Sequence, residues 1–120
     1  MIVVADTTPL LYLSRIGRLE LLQALYDQIF VPVTVWQEAV AARPDADGVQ
    51  ALRSASWIMI SDQAERAGID ASLEATRDPG EAAAILLAEL LGADLLLVDE
   101  RKGRALARQR GLEVRGTLGV

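Results

Sequence analysis

The sequence predicts an α/β fold with a mostly parallel sheet of four to five strands covered by helices on both faces. Short, unbroken apolar runs such as IVVA and LLLV are typical of strands buried on both sides, and they alternate with stretches of helical period. Strands that alternate with helices in this way build parallel sheets. The 120 residues, 52% hydrophobic and 24% charged, suffice for one folded domain, expected over residues 1–120.

In chain order, the first strand is read at Ile2 to Ala5, with Asp6 at its carboxyl end. Thr8 is read as the N-cap and Pro9 as the first residue of a helix that runs to Gly17. A second helix covers about Leu19 to Tyr26, and Gln28 to Val31 is the second strand, ended by Pro32. Thr34 and Gln37 have capping-box spacing for a helix that buries Val35, Trp36, Ala39 and Val40. Arg43 to Gly48 forms the most polar loop, followed by a helix at Val49 to Ser54, a strand at Trp57 to Ile60 and a short helix at Gln63 to Ala67. Residues 68–77 read as a mixed connection. Asp78-Pro79-Gly80-Glu81 then opens the clearest helix, closed by Gly92. Leu95 to Val98 is a strand with Asp99 at its end, a basic helix reaches about Arg110, and Leu112 to Val114 is a fifth, edge strand.

The composition narrows the chemistry. There is no histidine and no cysteine, so catalysis must run on carboxylates and hydroxyls. Carboxylates without nitrogen or sulfur ligands suit a hard cation such as Mg²⁺ or Mn²⁺. No apolar run approaches the roughly 18 residues of a membrane span, and MIVVAD reads as a strand rather than a leader, so the expected location is cytoplasmic. The net charge of −5 conceals an asymmetry: residues 1–100 carry 6 basic and 16 acidic residues, residues 101–120 carry 6 and 1. Arg101, Arg104 and Arg108 fall on one helical face, a stripe able to hold a phosphate backbone or simply to be solvated.

Sites in open parallel sheets form outside the carboxyl ends of the strands, where Asp6 and Asp99 are placed. A helix leading into a parallel strand begins at that same edge, which brings Glu81 and Glu38 beside the two aspartates. Each has a plainer reading: Asp78 to Glu81 as a capping box, Asp99 as a helix cap, Glu38 as a solvated residue. Together, four like charges at one edge raise one another's pKa and destabilise the fold unless a cation or protons relieve them.

The segments VVADTTPLLYL, VPVTVWQEAV, DPGEAAAILLA and LLLVDERKGRALARQRGLEVRGTLGV, in this order and spacing, resemble the PIN-domain superfamily, close to its VapC-type toxins. The resemblance spans the whole chain. It implies a PIN-like three-layer α/β/α sandwich and a nuclease dependent on Mg²⁺ or Mn²⁺ that cuts RNA, commonly a homodimer and often the toxin partner of an antitoxin protein. It further implies that Asp6, Glu38, Glu81 and Asp99 are the catalytic acids, with Asp6, Glu81 and Asp99 on the metal and the Thr8 hydroxyl supporting them. The chain stops at Val120, where similar sequences continue into a further helix, and Glu100 adjoins Asp99 as an alternative carboxylate.

The expectation is therefore a metal-dependent endoribonuclease with Arg101, Arg104 and Arg108 on the RNA backbone. A receiver-type phosphoacceptor would need an acidic pair after the first strand and a lysine ending the last. A haloacid-dehalogenase-type phosphatase would need Asp-x-Asp where Asp6-Thr7-Thr8 stands. A binding module of the same fold without turnover is the remaining alternative.

Overall fold

The computed structural model describes residues 1–42 and 45–117. Arg43 and Pro44 of the expected polar loop, and the last three residues, lie outside the described part. The strands are β1 (Val3–Ala5), β2 (Ile29–Pro32), β3 (Ile58–Ser61), β4 (Leu95–Leu97) and β5 (Val114–Arg115). They form one five-stranded sheet in the order β3-β2-β1-β4-β5, and every pair is parallel. Val3, Val4 and Ala5 pair with Leu95, Leu96 and Leu97, and all six are buried. Unbroken apolar runs are what such central strands require, because helices cover both of their faces.

The chain builds outward from β1 to β2 and β3, then returns to the other side of β1 for β4 and β5. The reversal point lies between β1 and β4, and in open parallel sheets ligand crevices form at such a point, outside the carboxyl ends of the strands.

The helices are α1 (Thr7–Arg15), α2 (Glu20–Tyr26), α3 (Val33–Trp36), α4 (Val49–Ser54), α5 (Gln63–Ala67), α6 (Ala71–Glu74), α7 (Pro79–Leu91) and α8 (Arg101–Gln109). Central helix α7 packs over β1, β2 and β4 and buries Ala82 to Ile85, Leu87 and Ala88. Gly92, with φ of 61°, ends it in the left-handed conformation that glycine adopts without penalty. Arg110 holds the outer layer by bonding Glu89 of α7 at 2.7 Å and Asp70, the cap of α6, at 2.9 Å. Among the described residues no helix is long and apolar enough to cross a membrane.

Several local expectations are corrected. Asp6, not Thr8, caps α1: its side chain accepts from Thr7 N–H, which puts Pro9 inside the first turn. Thr34 makes no capping box, since α3 already starts at Val33 and the Thr34 hydroxyl instead donates to Glu65 at 2.7 Å. The connection 68–77 contains α6, capped by Asp70, which accepts from Leu73 N–H. Glu100 rather than Asp99 caps α8, accepting from Gly103 N–H at 3.1 Å. Helix α3 also widens into a π-helical segment over Gln37–Ala41, the one that carries Glu38.

Candidate active site

Asp6 follows the last residue of β1, and its own N–H donates to the Leu97 carbonyl of β4 at 2.9 Å, so its backbone bridges the two strands at the reversal point. Its side chain is 5% exposed and accepts from Thr7 N–H at 2.7 Å. Burial raises its carboxyl from 3.8 to about 7; the Thr7 bond opposes this, and the charges of Asp78, Glu38 and Asp99 add to it.

Glu81 lies in the first turn of α7 and is 1% exposed. Its N–H is satisfied by Asp78 Oδ1 at 3.1 Å. A capping box would return the Glu81 carboxylate to the Asp78 N–H, but that N–H donates to the Thr76 hydroxyl instead. Both Glu81 oxygens are left buried without a hydrogen-bond partner among the described residues. Burial, followed by repulsion from Asp6, Asp78 and Glu100, raises this carboxyl from 4.5 to about 7. A buried leucine here would contribute roughly 2 kcal/mol, whereas a buried unpaired carboxylate costs several. Packing therefore does not explain the residue.

Glu38 is held by the π segment, which shifts side chains off the regular helical register and recurs at functional sites. Its Oε2 accepts from the Thr7 hydroxyl at 3.1 Å. Asp99 stands just past β4, and both of its oxygens are engaged by Thr117, through the backbone N–H and the hydroxyl. The Arg104 guanidinium donates to the Asp99 carbonyl. Thr8 is exposed and lines a pocket with Asp99, while in this first turn it is the hydroxyl of its neighbour Thr7 that bonds a site carboxylate, Glu38.

Three of these acids rest against glycines. A Cβ at Gly80 would fall 2.5 Å from Glu38 Oε2, one at Gly103 2.4 Å from the Glu81 carboxyl carbon, and one at Gly116 2.7 Å from Asp99 Oδ1. No real Cβ tolerates such distances, so each glycine provides space its carboxylate occupies.

The structure thus gathers Asp6, Glu38, Glu81 and Asp99 at one edge, with Asp78 and Glu100 close enough to repel them. It does not close them into a cage: among the described residues no group of three acidic side chains is arranged to hold a metal ion. Asp99 has both oxygens on Thr117, with acceptor capacity left on each. Mg²⁺ does not need such a cage, since it is usually held by one or two carboxylates and completes its shell with water and substrate phosphate. Asp6 with the unpartnered Glu81 meets that requirement, and the donor set is all oxygen.

Of the arginines, Arg101 and Arg108 are exposed on α8, while Arg104 is partly buried against Asp99. Arg110 is occupied by Asp70 and Glu89.

A family model described as a PIN domain matches residues 2–120. The chain belongs to the PIN-domain family. PIN domains are in general nucleases that use divalent metal ions, and the parallel five-stranded sheet with its helices has the architecture of that family. A search of curated proteins finds no match to this chain.

Proposed function

We propose that this PIN domain is a Mg²⁺- or Mn²⁺-dependent endoribonuclease and the toxin of a toxin–antitoxin pair. The observation that carries the nuclease reading is Glu81: a fully buried carboxylate beside Asp6, with no hydrogen-bond partner for either oxygen among the described residues. Asp6 and Glu81 would hold the ion. When bound there, the ion lowers the pKa of its water and polarises the phosphoryl oxygen under attack. Glu38, whose Oε2 accepts from the Thr7 hydroxyl, would accept a proton from the attacking water through its second oxygen. Asp99 keeps the end of β4 and Thr117 in register beside them. The toxin role, the antitoxin partner and a homodimer follow from the family resemblance.

The test is cleavage of mixed-sequence single-stranded RNA by purified protein in Mn²⁺ and in chelator, beside Asp6→Asn. Cleavage should require the metal and vanish in the variant with its fold retained. Turnover that survives Asp6→Asn removes the site, and a wild type inert in every divalent metal leaves a binding module.

Arg101 and Arg108 are proposed to lie along the RNA backbone, with Arg104 between them fixed to Asp99. The double reversal Arg101→Glu/Arg108→Glu should weaken RNA binding across all sequences and lower the slope of log affinity against log salt by about 2, roughly one per lost phosphate contact. An unchanged slope would show the stripe to be a solvated surface.

A further inference from the structure

Beside the acidic edge lies a pocket of 310 Å³ lined by Thr8, Tyr12, Asp99 and Thr117. That volume is at the lower end for small-ligand sites, roughly 300–1,000 Å³. Asp99 and Thr117 line it together with α1, where Thr8 and Tyr12 are spaced four residues apart and so share a face. The capping of α1 by Asp6 fixes that face relative to the site.

Tyr12 stands apart from the other aromatics. Tyr26 is buried, while Phe30, Trp36 and Trp57 are partly buried against the core. Tyr12 is 48% exposed and lines the pocket. Phosphate, being anionic, is disfavoured against Asp99. A neutral planar group is not: it can lie on the ring and reach the Thr8 hydroxyl with a polar edge. Asp99 belongs both to this pocket and to the acidic edge, where its charge acts on Asp6, so a group seated here lies beside the carboxylates.

We propose that Tyr12 is a stacking platform for a nucleobase of the substrate strand next to the cleaved phosphate, seated in this pocket with Thr8 at its edge. The assignment rests on the ribonuclease reading above. Stacking on an aromatic ring accepts any base, so Tyr12 supplies affinity and register, with little sequence preference.

The test is a thermodynamic cycle. Single-stranded RNAs of about twelve nucleotides are used, one intact and a series each lacking one base, so that the abasic position is scanned along the strand past the cleaved bond. Values of kcat/KM are measured for wild type, Tyr12→Ala and Tyr12→Phe. Removing the base should lower kcat/KM of the wild type roughly ten- to a hundredfold, and Tyr12→Ala should lower it by a similar factor on intact RNA, chiefly through KM. The two losses should not add, and Tyr12→Phe should keep the wild-type behaviour.

An equal abasic penalty in wild type and Tyr12→Ala overturns the proposal, as does an unchanged kcat/KM of Tyr12→Ala on intact RNA. Either result leaves the nuclease reading standing. A shift in the sedimenting mass of Tyr12→Ala with the abasic penalty intact also overturns it, because Tyr12 then faces another protein chain. A wild type that cleaves none of these RNAs overturns both readings.

Discussion

Glu81→Gln is expected to abolish metal-dependent cleavage while raising the melting temperature of the metal-free protein at about pH 8. The substitution keeps the shape of a buried side chain and removes a charge that no hydrogen bond supports. It also relieves repulsion with Asp6, Asp78 and Glu100. The gain depends on pH in a definite direction. Asp6 and Glu81 have folded-state pKa values near 7, above the ordinary 3.8 and 4.5, so between those limits the folded protein holds protons that the unfolded chain has released. Their contribution to stability is fully present below about pH 4 and is lost as pH rises through about 7. For Glu81, the rise from 4.5 to about 7 corresponds to roughly 3 kcal/mol.

In chelator the wild type should therefore melt at a higher temperature at about pH 5 than at about pH 8, and Glu81→Gln should fall less between the two. Millimolar Mn²⁺ should raise the wild-type melting temperature at the higher pH, where the ligands are ionised, and leave Glu81→Gln unmoved. A variant whose Mn²⁺ response equals that of the wild type would exclude Glu81 as a ligand. One that keeps its turnover would remove it from the reaction.

The sheet and the edge were legible in the sequence because both rest on strong local signals. Short unbroken runs such as Val3 to Ala5 and Leu95 to Leu97, alternating with helical stretches, read as central strands, and the acidic residues just past them, Asp6 after Ala5 and Asp99 after Val98, are then placed by topology. What one residue does as distinct from its neighbour was not legible. Thr8 and Asp99 are good caps by type, yet Asp6 and Glu100 take those places, because the cap is decided by where the strand releases the chain. The π segment at Gln37–Ala41 leaves no mark, since Val35, Ala39 and Val40 suit a regular helix equally well. Thr117 reaches Asp99 from 18 residues away, a contact with no local pattern behind it. The glycines did leave one. Gly80 and Gly103 lie in the first turns of α7 and α8, where glycine is the worse helix former by about 1 kcal/mol against alanine. A residue that weakens its own helix points to a close approach, and here it is a carboxylate.

Gly103→Ala tests that reading, and its effect on activity should be large. The new methyl would fall 2.4 Å from the Glu81 carboxyl carbon and 2.6 and 2.7 Å from its oxygens. The side chain, not the backbone, is the softer partner, so Glu81 moves and the fold stays. A displacement on the order of 1 Å at a catalytic group costs about a hundredfold in rate, and that is the expected loss in kcat. Stability should hardly change in the wild-type background, because the gain of about 1 kcal/mol in helix propensity for α8 is offset by the disturbed packing around Glu81. Shortening residue 81 separates the two effects. In Glu81→Ala the clash is gone, and adding Gly103→Ala should then give the full helix gain of about 1 kcal/mol, measured by denaturant melts of the four proteins in chelator. Near-normal turnover of Gly103→Ala, or the same stability change in both backgrounds, would show that residue 103 does not constrain the carboxylate. Glu81 would then need another reason to remain buried and unpaired against α8.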